Sequence, residues 1–127
     1  MKDQVTSIEQ SKRLIELGVP AGKASMVYRK RYIKNDYVLD MESREMEVIA
    51  PAFTVADLLG MIPAEITYGR LYVSHPKIPS VKNDFNVFYK RVGREKGAIK
   101  SFRHPNLTCA CVMMVEWLLS NGYKLNI

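Results

Sequence analysis

The chain has few cysteines and histidines, and it has no long apolar run. Its 127 residues include two cysteines and two histidines. Cys109 and Cys111 lie two apart on a predicted helix, so their side chains point to different sides. They therefore cannot both join the three or four convergent ligands that a metal site needs, and a disulfide between them would be strained. No apolar stretch approaches the ~20 residues of a membrane-spanning helix, and the first residues lack the apolar segment of a signal peptide. We therefore expect a cytoplasmic protein with free thiols and without a metal or cofactor.

Motifs for catalysis and for common nucleic-acid-binding folds are missing as well. The sequence has no P-loop, GxGxxG or GxSxG pattern, and no helix-turn-helix, zinc finger or RNP-like motif. His104 lies five residues before Cys109, but a thiol on a buried helix is usually inert. Acids between residues 40 and 47 fit a solvated strand or loop better than a catalytic pair. The sequence therefore predicts a protein that is not an enzyme.

Length and composition are typical of one globular domain. Apolar residues make up 47% of the chain and charged residues 25%, which are ordinary proportions for a folded protein. A chain of this length buries roughly two-thirds of its unfolded surface, so it needs no disulfide to fold. Because there is no internal repeat, low-complexity tract or linker, we predict a single domain over residues 1–127.

Three segments carry the signals of helix ends. The first helix is predicted to begin at Thr6, in a capping box with Glu9, and to end at Gly18. The second begins at Thr54, also in a capping box, and ends before Pro63. The third is the most apolar. The residues predicted to bound it are Asn106 as the N-cap and Gly122 after its last turn.

The intervening segments have the residue types of strands. Residues 26–42 predict a β-hairpin with Asn35-Asp36 as a two-residue loop. The charge pairs that follow from this register are Arg31 opposite Asp40 and Arg29 opposite Glu42. Such pairs balance two charges of the basic run at 29–31 within the hairpin, although that run could instead bind a partner.

Further strands are expected at 66–75, 85–92 and 98–102, with Gly69 as a bulge or turn and a glycine-bracketed turn at 93–97. The element order is helix, hairpin, helix, strands, helix. It predicts the α+β class, with a mostly antiparallel sheet and about three helices packed on one face.

The net positive charge is concentrated in residues 76–105. This window has eight basic residues and two acids, so it accounts for the whole net charge of +6. A concentrated basic stretch is a candidate surface for a polyanion, and Phe88 and Tyr89 are candidates to stack on single-stranded bases. The alternative is a solubilising surface with its aromatics in the core. The candidate nucleic-acid-binding residues are Lys90, Arg91, Arg94, Lys96, Lys100 and Arg103.

The sequence contains three groups of short signatures, which are Glu9-Gln10-Ser11-Lys12 with Leu17-Gly18, Pro51-Ala52-Phe53-Thr54 with Asp57-Leu58-Leu59 and Ile62-Pro63, and Glu116-Trp117-Leu118-Leu119 with Asn121-Gly122. Together these signatures resemble those of small uncharacterised proteins of phage and of prophage-like mobile elements of gut bacteria. They are mostly helix caps and core positions, so the resemblance implies a fold and no chemistry. Residues 76–104 match it least.

These observations lead to two functional hypotheses. The first is a non-enzymatic, phage- or mobile-element-like protein that acts through a protein partner or self-association. The alternative is a nucleic-acid-binding accessory protein that uses the basic surface of residues 76–105.

Overall fold

The computed structural model describes residues 4–31, 36–40, 48–75, 84–93 and 97–127. The helices are α1 (Ile8–Glu16), α2 (Val55–Met61) and α3 (Leu107–Ser120), with a short 3-10 helix at Ala21–Lys23. The strands are β1 (Met26–Arg31), β2 (Asp36–Asp40), β3 (Val48–Ala52), β4 (Glu65–Ile66), β5 (Gly69–Ser74), β6 (Phe85–Arg91) and β7 (Ala98–His104).

Helix α1 begins one residue later than the sequence predicts. Ser7 is the N-cap, and it forms the capping box with Gln10 rather than Thr6 with Glu9. Thr6 is buried, and its hydroxyl accepts a hydrogen bond from the Phe53 amide at 3.0 Å. The prediction was wrong because two adjacent hydroxyl residues have the same capping chemistry, and a tertiary contact occupies the first of them.

The other helix ends are where the sequence predicts them. Gly18 has a positive φ of 103°, and the Val19 amide donates to the Leu14 carbonyl at 3.0 Å, which completes a Schellman cap. Thr54 caps α2 in a capping box with Asp57. The boundaries of α3 are also confirmed, with Asn106 as its N-cap and Gly122 in a positive-φ conformation.

The hairpin is present, but its predicted register is wrong. Strands β1 and β2 pair so that Arg31 lies opposite Asp36 and Arg29 lies opposite Val38. Asp36 belongs to β2, so the two-residue loop at 35–36 does not form, and Glu42 lies outside the described residues. Arg29 is only 1% exposed, so it is part of the interior rather than a solvent-exposed charge pair. Register depends on which face is buried, and the charge pattern alone did not reveal that.

The strands form two antiparallel sheets. Strand β1 is the centre of a three-stranded sheet in the order β2-β1-β3, and the second sheet has the order β4-β5-β6-β7. Thr67 and Tyr68 make the turn between β4 and β5. Of the bulge and the turn predicted near Gly69, the structure therefore has the turn. Gly69 begins β5 beside the side chain of Ile99.

Helix α3 packs on β6 and β7 of the four-stranded sheet, while α2 packs on α3 and α1 packs on β3. The larger apolar core joins α3 to Phe53, Leu58, Val87 and Tyr89. This arrangement confirms an α+β fold with antiparallel sheets and three α-helices in the described residues. None of the helices in the described residues combines the length and the apolar character that a membrane span requires.

Candidate nucleic-acid interface

The two faces of the four-stranded sheet have different environments. Side chains alternate between faces along a strand, and the pairing of β5, β6 and β7 aligns those that share a face. Val87 and Tyr89 point to the covered face, beneath α3, and are buried. The residues of the other face, here called the open face, are Arg70, Tyr72, Ser74, Asn86, Phe88, Lys90, Ala98, Ser101 and Arg103. All nine are half-buried or exposed, so no described element covers this face.

Two aromatic side chains stack at the centre of the open face. Tyr72 and Phe88 are direct cross-strand neighbours, and their ring centroids are 5.6 Å apart with planes inclined by 19°. Tyr72 remains 43% exposed. Such a pair stabilises the strands that carry it, and its outward ring surface can also continue a stack with a planar ligand.

Cationic side chains lie at both ends of this aromatic pair. Arg70 and Lys90 are directly opposite each other on β5 and β6, two residues from Tyr72 and Phe88. Arg103 lies opposite Asn86 at the other end. Glu65 forms an ion pair with Arg70 at 3.3 Å, but both side chains are more than half exposed, so the attraction is weak. The open face therefore offers positive charge on either side of an apolar centre.

A hydrogen-bonded polar pair borders the aromatic stack. The Ser101 hydroxyl donates to Oδ1 of Asn86 at 2.6 Å. Asn86 lies two residues before Phe88 on the same strand, and Ser101 lies directly opposite Phe88. The open face thus combines apolar, cationic and hydrogen-bonding groups.

The predicted binding residues do not share one face. Lys90 and Arg103 lie on the open face, but Arg91 and Lys100 align with covered-face residues: Arg91 is opposite Gly69, and Lys100 is opposite Tyr89. The ammonium group of Lys100 sits 5.1 Å from the centre of the Phe102 ring, a cation–π contact on that side. The remaining two predicted residues, Arg94 and Lys96, lie outside the described residues.

The structure separates the two aromatic residues proposed for stacking. Phe88 lies on the open face, whereas Tyr89 is fully buried and its hydroxyl donates to the Pro63 carbonyl at 2.6 Å. Burial, with a smaller contribution from Tyr123, raises the pKa of Tyr89. Sequence reasoning missed Arg70 and Tyr72 because they precede the basic window. The signal that identifies them is the alternation along β5, which becomes informative only once its pairing with β6 is known.

The histidine and the cysteines at and near the start of α3 are held by hydrogen bonds or burial. Nδ1 of His104 accepts a hydrogen bond from the Asn106 amide at 2.9 Å. Cys109 is half-buried, and the Gln10 side-chain amide donates to its sulfur at 3.5 Å. Burial raises the pKa of Cys111 to about 12, which suppresses its thiolate form. No three potential metal ligands converge within the described residues.

A hollow of about 520 Å³ lies beside the start of α3. Its lining residues are Gln4, Val55, Phe85, Pro105, Asn106 and Leu107. A catalytic pocket is expected to bring ionisable groups together, and none of these described lining residues is ionisable. Of the acids in residues 40–47, Asp40 is the last residue of β2, and the others lie outside the described residues.

No protein-family model matches the chain, and neither a curated protein nor a solved structure is significantly similar to it. The resemblance to small phage-type proteins therefore stays a prediction.

Proposed function

We propose that this protein binds single-stranded nucleic acid on the open face of its four-stranded sheet. The observation that carries the proposal is the partly exposed Tyr72–Phe88 stack, which lies between cationic side chains on a face that no described element covers. Aromatic rings that extend base stacking, combined with Lys and Arg near the phosphates, are the usual means by which proteins bind single strands.

The shape of the surface favours a single strand over a duplex. Bases in a duplex are stacked on each other, so they are not available to an aromatic pair on a sheet. Arg103 on β7 lies opposite Asn86 on β6, and Asn86 is four residues from Lys90 along β6. At the rise of a β-strand this separation is roughly 13 Å, which leaves the aromatic pair accessible between the two charges.

The direct test is fluorescence anisotropy with labelled single-stranded and duplex oligonucleotides of DNA and RNA, at roughly 50 and 200 mM salt. The wild-type protein should bind single strands with micromolar affinity at low salt and much more weakly at high salt. A double variant, Tyr72→Leu with Phe88→Leu, should lose most of this binding, since base–aromatic stacking contributes ~1–3 kcal/mol per base.

Tyr68→Leu is the matched control, because Tyr68 is 79% exposed but lies in the β4–β5 turn rather than on the open face. It should bind like the wild type. The proposal is wrong if no oligonucleotide binds at low salt, or if the double variant binds as well as the wild type while both remain folded by circular dichroism.

The protein-partner hypothesis is supported by a different observation, at the end of the same sheet. Tyr68 and Val92 are 79% and 57% exposed, and they are linked by a hydrogen bond from the Val92 amide to the Tyr68 carbonyl at 2.9 Å. Exposed apolar side chains placed together are typical of contact surfaces. We retain a non-enzymatic role in self-association or partner binding, a phage-type origin and a cytoplasmic location as predictions.

Light scattering coupled to size-exclusion chromatography tests the self-association form of this hypothesis. A dimer that Tyr68→Ser with Val92→Ser converts to a monomer would support it. A wild-type monomer at the highest attainable concentration would contradict it.

A further inference from the structure

We infer that Asn86, held in place by Ser101, contacts the edge of a nucleobase that stacks on the open face. This inference rests on the proposed function and adds to it a base contact that depends on the base's hydrogen-bonding groups. Phosphate contacts and stacking on aromatic rings depend little on which base is bound, whereas this hydrogen bond depends on it.

Asn86 and Phe88 project from the same face of β6, two residues apart, and Ser101 lies across from Phe88 on β7. A base stacked on the outward surface of the Phe88 ring extends beyond that ring. Asn86 is the neighbouring open-face residue along β6, about 7 Å away at the rise of a strand, so its carboxamide is within reach of the edge of such a base. Arg103, opposite Asn86, is on the far side of this position and is suited to the phosphate.

The hydrogen bond between the two side chains sets the orientation of the carboxamide. A carboxamide oxygen only accepts, so the Ser101 hydroxyl is the donor in their 2.6 Å contact. Oδ1 of Asn86 therefore points toward β7, and the two Nδ2 hydrogens point away from it. Within the described part of the chain, Nδ2 has no hydrogen-bond partner, and the Asn86 side chain is half-buried.

A hydrogen-bond donor held beside a stacking surface distinguishes bases that can accept a hydrogen bond from bases that cannot. Asn carboxamides pair with base edges that present an acceptor, alone or beside a donor. When a base that lacks an acceptor covers Asn86, the Nδ2 donor loses water without gaining a partner, which is unfavourable. A hydrogen-bonding base should therefore bind better than a base of the same shape that cannot accept.

The experiment compares two single-stranded DNA oligonucleotides of the same length by anisotropy. One is oligothymidylate, and in the other each thymine is replaced by 2,4-difluorotoluene, which has the same shape but is a very poor acceptor. The wild type should prefer thymine on the order of fivefold, which corresponds to one hydrogen bond. Asn86→Ala should reduce that preference to about one, and Ser101→Ala, which frees the carboxamide to rotate, should reduce it in part.

Arg103→Ala is the control, since it should weaken binding of both oligonucleotides equally and leave the preference intact. For each protein, the preference is the ratio of its affinities for the thymine and the difluorotoluene oligonucleotides. The preference of the wild type divided by that of Asn86→Ala isolates the contribution of Asn86 from general differences in stacking between the two bases. Should Asn86→Ala fail to fold, the Ser101→Ala variant carries the same comparison.

The outcomes separate this inference from the proposed function. Failure of both oligonucleotides to bind overturns both. Equal wild-type binding of the two oligonucleotides overturns the base contact and leaves the stacking function standing. A preference that persists unchanged in Asn86→Ala and in Ser101→Ala also overturns it, because another residue would then contact the base.

Discussion

The two faces of the four-stranded sheet are built from the same strands but have opposite environments. On β6, Val87 and Tyr89 are fully buried beneath α3, whereas their neighbours Phe88 and Lys90 are half-buried and exposed. Aromatic residues occur on both faces, so residue type does not distinguish them. The difference shows that an aromatic side chain is part of the core where α3 covers it and keeps solvent exposure where no described element covers it.

The largest expected effect contrasts one tyrosine from each face. Tyr89→Ala removes a buried ring and should reduce the free energy of unfolding by ~3–5 kcal/mol. Tyr72→Ala removes a cross-strand contact at an exposed site and should cost no more than ~1 kcal/mol. Urea denaturation followed by circular dichroism measures both.

Tyr89→Phe is the control for the hydroxyl of Tyr89. It retains the ring and loses the hydrogen bond to Pro63, so it should cost about 1 kcal/mol. Equal destabilisation by Tyr89→Ala and Tyr72→Ala would show that the two faces are not energetically distinct.

Charge reversal at two positions of β7 compares the contributions of the two faces to the affinity for single strands. Arg103 projects from the open face and Lys100 from the covered face. Arg103→Glu should weaken single-strand binding about tenfold, or ~1.4 kcal/mol, and should reduce the salt dependence by about one phosphate contact. Lys100→Glu should leave the affinity close to that of the wild type. Anisotropy titrations across salt concentrations decide this, and equal losses would contradict the assignment of the two faces.

A glycine on the covered face tests how tightly that face is packed. A Cβ added to Gly69 would lie 2.6 Å from Cδ1 of Ile99 and 3.0 Å from Cγ1 of Ile66. Gly69→Ala should therefore destabilise the fold by about 1 kcal/mol, because the isoleucine side chains must move.

Gly60 provides the matched control for this substitution. It lies in α2 with open space around the Cβ position, so Gly60→Ala should stabilise the protein by ~0.5–1 kcal/mol through helix propensity. Thermal unfolding of both variants measures the contrast. A stabilising effect of both would mean that the covered face has space to spare at Gly69.

The smallest effect concerns a charge on neither face. Burial alone would raise the pKa of Asp57, but hydrogen bonds from Ser25 and Thr54 outweigh it and hold the pKa below the ordinary value of 3.8. A depressed pKa means that the carboxylate contributes stability above the unfolded pKa, and that this contribution is lost as the pH falls through the folded pKa.

Asp57→Asn should therefore cost ~0.5–1 kcal/mol near neutral pH, and the difference from the wild type should diminish below about pH 4. Urea denaturation at a series of pH values measures it. Binding of single strands should be unchanged, since Asp57 lies in α2. A difference that grows in acid would contradict the sign of the pKa shift.

Local patterns explain what could be predicted from the sequence. Gly18, Thr54, Asn106 and Gly122 mark helix ends through contacts with residues that are near them in the chain, so a short window contains the information. The N-terminus of α1 was misplaced by one residue because Thr6 makes contacts with Phe53, far away in the sequence.

The candidate site could be predicted only in part. Lys90, Arg103 and Phe88 lie inside a window that its charge had identified, but Arg70 and Tyr72 lie outside it, and Tyr89 belongs to the core. Assigning a residue to one face requires the pairing of β5, β6 and β7, and a shift of one residue reverses every assignment.

The sequence by itself determined the α+β class, the ends of α2 and α3, and the concentration of charge in residues 76–105, since propensity, capping and composition are local properties. Only the tertiary structure decided the pairing of β1 with β2, the burial of Arg29 and the separation of Lys90 from Arg91. The physical reason is that these features depend on contacts between distant segments. The position of α3 on one side of the sheet determines which side chains of each strand are buried and which stay exposed.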